Sequence, residues 1–255
     1  MILLHRLTPF LIALVVASGF GVVLSSSSAP ILLSVLFAFA AAFLLFCRLA
    51  EWRASSFLFW ALVGIPGVFL ASGFGTFLFL EGGMQRTALA ILVTFFSFLF
   101  AEQVFAYVHA PTRYQAYAIE HLSLVLNVLS VFFVGIAAFG SQIFLQPPLW
   151  LLIPCFAALV FFLCYATLWV SKVDHKPART HASVGALLLT ELFVVILFLP
   201  TGYYANAAFL AICLYVFLGL SRARFLQKLS PAVAWRYAGF GIGFFLLIAA
   251  TAPWR

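Results

Sequence analysis

The stretch LFAEQVFAYVH, Leu99 to His109, ends an apolar run that begins at Thr87. A helix needs about 20 apolar residues to cross the hydrocarbon core of a bilayer, and this run is long enough. It nevertheless contains a carboxylate, Glu102, beside an amide, Gln103. An ionised carboxylate at bilayer depth costs at least ~2.5–3.5 kcal/mol. We therefore expect Glu102 to face protein or water rather than lipid.

The rest of the chain has the same apolar character. Hydrophobic residues make up 66% of the 255 residues and charged residues only 7%, whereas soluble domains are about 45–50% apolar and about 25% charged. This number of charges is too small to cover a water-facing surface, and most of the chain is therefore expected to be surrounded by lipid. The net charge of +7 fits basic residues at cytoplasmic helix ends, and no nucleic-acid partner is predicted. The four cysteines lie in apolar runs at irregular spacing, which indicates neither disulfides nor a zinc site.

Nine segments are long and apolar enough to span a membrane, so the predicted fold is an all-α, polytopic transmembrane helix bundle with short loops. The bundle is expected to form a single integral membrane domain over residues 1–255. Eight helices would span if the first segment were a cleaved signal peptide or if one of the last two, which are short, failed to cross; we favour an uncleaved first helix. The segments are Leu7–Ser25, Pro30–Phe46, Phe57–Leu80, Thr87–Tyr107, Ala118–Phe139, Leu149–Val170, Ala182–Leu199, Tyr204–Leu220 and Tyr237–Ala252.

The distribution of basic residues predicts a cytoplasmic N-terminus and an external C-terminus. With the nine segments alternating from that start, eleven basic residues lie on the cytoplasmic side and only Arg86 and Arg255 lie outside. A bacterial inner membrane is the expected location, because no transit peptide rich in arginine and serine is found. The longest loop, Ser221–Arg236, is basic and is expected to meet anionic lipid at the inner leaflet. The eleven are Arg6, Arg48, Arg53, Arg113, Lys172, Lys176, Arg179, Arg222, Arg224, Lys228 and Arg236.

Two polar stripes follow from the helical period of about 100° per residue. On helix four, Glu102 and His109 fall on one side together with Thr87 and Thr94. On helix five, a second stripe interrupts an apolar helix and should face neighbouring helices. Because these two helices form a hairpin, we expect Glu102 to point at helix five across a polar seam. The helix-five stripe is Glu120, Ser123, Asn127 and Ser130.

Glu191 is the third carboxylate in an apolar segment, and it lies at the middle of helix seven without a positive residue nearby in sequence. We expect it to be protonated, because the charged form is costly in hydrocarbon. The neutral acid would donate a hydrogen bond in helix packing, or it would carry a proton. Packing is the more economical of the two interpretations.

The histidines all lie at the predicted cytoplasmic side, and His109, His121 and Arg113 are candidates for chemistry at that face. Glu102, His109, Glu120 and His121 could meet at the turn between helices four and five, where carboxylate and imidazole would suit a metal. However, adjacent residues in a helix point about 100° apart, and no established metal-site or nucleophile motif is present. We therefore predict no metal and no cofactor.

A weak repeat links the first and third segments. VVASGFGVVL, Val15–Leu24, resembles FLASGFGTFL, Phe69–Leu78. Such a repeat is common in transporters, but small residues four apart also indicate simple close packing, as at Gly67, Ala71 and Gly75 and at Gly239 and Gly243. Pro66 in the third segment predicts either a kink or a broken helix at a substrate site.

These features leave three functional hypotheses. The first is a transporter or permease-like protein for a small solute or a proton, using the polar seam and Glu191. The second is a membrane-embedded enzyme for a lipid or lipid-linked substrate at the inner leaflet, in which acids and histidines act on a substrate whose phosphate is held by Arg113. The third is a structural or assembly subunit of a membrane complex or homo-oligomer. We favour the first on fold-level analogy alone.

Overall fold

The computed structural model describes residues 2–25 and 31–252, in which the chain is all-helical, with nine α-helices and no strand. The predicted fold class is therefore confirmed. A short 3-10 turn, Pro111–Arg113, separates the fourth helix from the fifth. The helices are α1 (Ile2–Ser25), α2 (Ile31–Leu49), α3 (Phe57–Phe77), α4 (Gly83–His109), α5 (Ala118–Phe144), α6 (Leu149–Val170), α7 (His175–Leu197), α8 (Tyr203–Phe225) and α9 (Pro231–Thr251).

All nine helices in the described residues are long and apolar enough to cross a membrane, which is compatible with a polytopic membrane protein. The last two are not short, since α8 has 23 residues and α9 has 21. The prediction of a long loop at Ser221–Arg236 is wrong, because only residues 226–230 separate α8 from α9. Hydropathy falls where charged residues begin, but a helix can continue through the headgroup region. The basic residues in the last turn of α8 also suit the negative end of its dipole.

The chain divides into two compact units, which are described separately. In the first unit, Met1–Leu126, α1 packs against α2 and α4, and α3 packs against the same two helices. The buried face of α1 is a stripe of residues four apart, Thr8, Ile12, Val16 and Phe20. In the second unit, Asn127–Arg255, α6 packs along α7, and α8 contacts α6, α7 and α9.

The two similar decapeptides occupy equivalent packing positions in the first unit. A Cβ added at Gly19 of α1 would lie 2.5 Å from the Ala38 Cβ of α2. The matching Gly73 of α3 lies against α4, where a Cβ would come within 2.8 Å of a Val93 methyl group. In each pair, the glycine lets its helix approach the next helix closely. The residues that follow the glycines, Phe20 and Phe74, stack on each other with centroids 4.4 Å apart.

Two expectations about helix irregularities need correction. A Cβ at Gly239 or Gly243 would meet nothing within 4 Å, so this small-residue pair does not mediate close packing among the described residues. The glycine between them, Gly241, contacts Val216 of α8 instead. The α3 helix continues without a break through buried Pro66, so no broken helix forms there.

Candidate histidine cluster

Three helix ends meet on the predicted cytoplasmic side of the first unit. The α1 helix begins there, and α2 and α4 end there at Leu49 and His109. Because α1 packs lengthwise on α4, polar residues of its first turns are placed beside the last turns of α4. We name this group the histidine cluster, and it consists of His5, Arg6, Glu51, Glu102 and His109.

Glu102 forms an ion pair with Arg6 of α1, with Arg6 Nη1 donating to Glu102 Oε2 at 2.8 Å. The guanidinium also lies over the Phe105 ring, 5.3 Å from its centroid. The Glu102 side chain is only 21% exposed, and the Arg6 guanidinium supplies the opposite charge that a partly buried carboxylate needs. The other oxygen, Oε1, is buried and has no hydrogen-bond partner in the described part of the chain.

Glu102 was expected to point at helix five, but its hydrogen-bond partner is Arg6 of α1. The α4 stripe exists, because Glu102 and His109 do share one side of the helix, but both side chains bond to groups of α1 or of the α2 end. A hairpin makes α5 the next helix in sequence, yet the opposite charge that Glu102 needs is on α1.

His109 is held by the end of α2 and by a second imidazole. Its Nε2 lies 3.0 Å from the Leu49 carbonyl oxygen. A carbonyl can only accept, so this nitrogen carries the hydrogen. The ring stacks on His5 of α1, with centroids 4.4 Å apart and planes 16° from parallel. The remaining nitrogen, Nδ1, lies 3.8 Å from Glu51 Oε1, so an added proton would complete an ion pair there.

Each of the two stacked imidazole rings in the cluster has a nitrogen that makes no hydrogen bond among the described residues. For His5 that nitrogen is Nδ1, which is buried and has no partner among the described residues. Glu51, in turn, forms an ion pair with Arg53, whose Nη2 lies 2.7 Å from Glu51 Oε2. An unsatisfied buried polar atom usually indicates a water, an ion or a functional role.

A cavity of about 380 Å³ lies beside the cluster and includes Glu51 in its wall. Its size is within the range of small-molecule sites. Polar groups come from the segment between α2 and α3, and apolar groups come from α3 and α4. The lining residues are Ala50, Glu51, Arg53, Ser56, Leu58, Phe59, Leu62, Tyr107 and Val108.

The predicted helix-five stripe is buried, as a polar stripe facing other helices requires. In the first unit, Ser123 is 0% exposed and Glu120 is 8% exposed. Glu120 accepts a hydrogen bond from the Tyr114 hydroxyl at 3.2 Å. Burial raises the pKa of Tyr114, and nearby Glu120 adds to the shift although a backbone hydrogen bond from Ile119 opposes it.

In the second unit the stripe continues with Asn127 and Ser130, both fully buried. The Asn127 amide donates to the Leu163 carbonyl of α6 at 3.3 Å and to the Thr167 hydroxyl. Three buried acceptors or donors of this stripe have no hydrogen-bond partner in the described residues. They are Asn127 Oδ1 and the hydroxyls of Ser123 and Ser130.

The other predicted residues do not join the histidine cluster. Gln103 is partly buried, and His121 and Glu191 are exposed. The Arg113 side chain lies outside the described residues. Among those that are described, no group of three or more histidine, cysteine or acidic residues is arranged to hold a metal ion, so Glu102, His109, Glu120 and His121 do not meet as a metal site.

Sequence reasoning missed three members of the cluster. Glu51 lies between α2 and α3, outside every predicted segment, and His5 and Arg6 precede the first predicted segment. A usable signal existed, because Arg6 lies one residue before the first predicted segment, on the same predicted side of the membrane as the end of the fourth segment, and the long side chain of an arginine can reach inward from there. No protein-family model, no curated protein and no solved structure matches this chain.

Proposed function

We propose that the protein is a transporter of the permease type for a small solute, and that the histidine cluster exchanges a proton during transport. The observation that carries the proposal is the Arg6–Glu102 ion pair beside the stacked His5 and His109 rings. Ionisable residues within membrane helices mark substrate or proton pathways more often than they serve packing.

The hydrogen-bonding state of the cluster supports proton exchange. Protonation of His109 at Nδ1 would strengthen its contact with Glu51, now 3.8 Å away. That ion pair would use Oε1 of Glu51, whereas Arg53 holds Oε2. A single proton can therefore strengthen the contact between the end of α4 and the segment that follows α2, and such a change is what a gate needs.

The repeated packing of the first unit also favours transport. Gly19 and Gly73 hold equivalent positions against α2 and α4. The two helix pairs run in the same predicted direction, which corresponds to a parallel repeat about an axis along the membrane normal. Repeats of this kind are a recurring architecture of carriers.

Proton flux into proteoliposomes tests the proposal. A pH-sensitive dye is trapped inside, a potassium diffusion potential is imposed, and flux is recorded with and without panels of amino acids, sugars and organic cations. The wild type should acidify the lumen faster than protein-free liposomes in at least one condition. His109→Gln and Glu102→Gln should lose most of this flux, because neither amide exchanges a proton.

His175→Gln is the matched control. His175 also lies at a helix end on the predicted cytoplasmic side, and it contacts Tyr165 rather than the cluster. This variant should keep the wild-type flux. Flux no greater than that of empty liposomes under every condition, or equal losses in His175→Gln and His109→Gln, would contradict the proposal.

The cavity favours a second candidate function, an enzyme for a lipid-linked substrate at the predicted inner leaflet. Arg53 and Ser56 line the cavity and could hold a phosphate, with Glu51 as the base beside them. Incubation of the purified protein with labelled phospholipids and polyprenyl phosphates tests this candidate. Lipid turnover that is lost in Glu51→Gln, in the absence of any proton flux, would favour the enzyme over the transporter.

A further inference from the structure

The α7 helix exposes a regular seam on the side away from its packed face. We name the α7 seam as Val184, Leu188, Glu191, Val195 and Phe198, which are spaced four, three, four and three residues apart. The apolar members are 47%, 51%, 61% and 74% exposed, and Glu191 is also exposed. This alternation is the heptad spacing by which two helices pack along a continuous line.

Exposure of the α7 seam to lipid is energetically unfavourable because the seam contains the carboxyl group of Glu191. It lies at the middle of the apolar part of α7, and it has neither an ion pair nor a hydrogen bond among the described residues. Its expected hydrogen bond in helix packing therefore has no partner among the described residues. A carboxyl group at this depth needs a polar partner from outside the chain.

We propose that the α7 seam binds the α7 seam of a second copy, forming a parallel homodimer in which the two Glu191 side chains pair. The inference does not depend on the transport function. Two neutral carboxylic acids can each donate one hydrogen bond and accept one, so a pair satisfies both groups without a cation. A twofold axis along the membrane normal brings the same residue of each copy to the same depth.

The chemistry of the seam favours a second copy over an unrelated partner. When two copies associate in one membrane, the Glu191 of one copy lies opposite the Glu191 of the other, and no additional polar residue is needed. A different protein would have to provide its own polar residue at that depth. Basic residues of this chain sit near helix ends, so the pair is acid to acid rather than acid to base. A polar residue at one position of an apolar heptad seam also selects a single register.

Disulfide trapping provides the first test. In a chain whose four cysteines are replaced by alanine, Val195→Cys is introduced on the seam and Leu246→Cys on α9 is the matched control. Both positions are 61% exposed. Oxidation in liposomes at low protein density should trap a dimer through position 195 much faster than through position 246. Equal rates at the two positions would overturn the proposal.

Energy transfer between labelled copies, diluted stepwise in lipid vesicles, measures the dimer without a new cysteine. Glu191→Ala should weaken dimerisation by about tenfold, since interhelical hydrogen bonds in membranes are individually modest. Glu191→Gln should stay within about twofold of the wild type, because an amide pair also donates and accepts. A wild type that remains monomeric at all densities, or a Glu191→Ala variant that dimerises as well as the wild type, would refute the paired carboxyls.

Discussion

Two glycines of α1, only two residues apart, should respond oppositely to the same substitution. A Cβ at Gly19 would lie 2.5 Å from the Ala38 Cβ of α2, whereas a Cβ at Gly21 would meet nothing within 4 Å. Carbon atoms in contact prefer about 3.5–4.0 Å. Gly19→Ala therefore requires α1 and α2 to separate by about 1 Å, because a Cβ cannot rotate away from its backbone.

The expected magnitude follows from the difference between the two variants. Alanine gains up to about 1 kcal/mol of helix propensity over glycine at both positions, so this contribution cancels in the comparison. What remains is the overpacking at Gly19, which costs about 1–3 kcal/mol. We expect Gly21→Ala to be as stable as the wild type or slightly more stable, and Gly19→Ala to be less stable than Gly21→Ala by that amount.

Unfolding in mixed detergent micelles, followed by tryptophan fluorescence and circular dichroism, measures both variants. The double variant Gly19→Ala with Ala38→Gly removes the opposing methyl group and should recover most of the loss, while Ala38→Gly alone should not stabilise the protein. If Gly19→Ala unfolds at the same denaturant fraction as Gly21→Ala, the close contact between α1 and α2 is refuted.

Three further predictions concern charge, orientation and pH. Arg6→Glu should destabilise the protein in the same assay, and the exchange Arg6→Glu with Glu102→Arg should restore part of the loss; two additive losses would mean that the residues are not paired. A reporter enzyme fused after Arg255 should be active only outside the cell, since the basic residues predict an external C-terminus. Because burial raises the pKa of Tyr114 above its ordinary value of 10.0, its contribution to stability is present below pH 10.0 and is lost as the pH rises further, so Tyr114→Phe should be less sensitive to alkali.

The number and approximate position of the helices could be predicted from the sequence. Spanning a bilayer imposes a length and an apolar composition on each segment, and both are local properties of the chain. The predicted α6, Leu149–Val170, agrees with the structure at both ends. Helix ends were less accurate where charged residues lie within the helix, as in α8, which continues past Arg222 and Arg224.

The polar stripes could be predicted as stripes, because the helical period determines which residues share a side. Burial of the Asn127 side chain agrees with that prediction. The helix that each stripe meets was not predictable in the same way. Glu102 bonds to Arg6, 96 residues away, and nothing local to either residue specifies that contact.

The sequence by itself thus determined an all-helical fold, with nine membrane-spanning candidates in the part of the chain that the structure describes, and the faces on which their polar residues lie. Only the tertiary structure decided that Glu102 faces α1 and that Glu191 lies on an exposed face. It also decided that Gly19 and Gly73 each allow close approach of a neighbouring helix. The physical reason is that the bilayer requires a certain apolar length of each helix separately, which is a local property of the sequence. Which helices pack together depends instead on shape and charge complementarity between residues far apart in the chain.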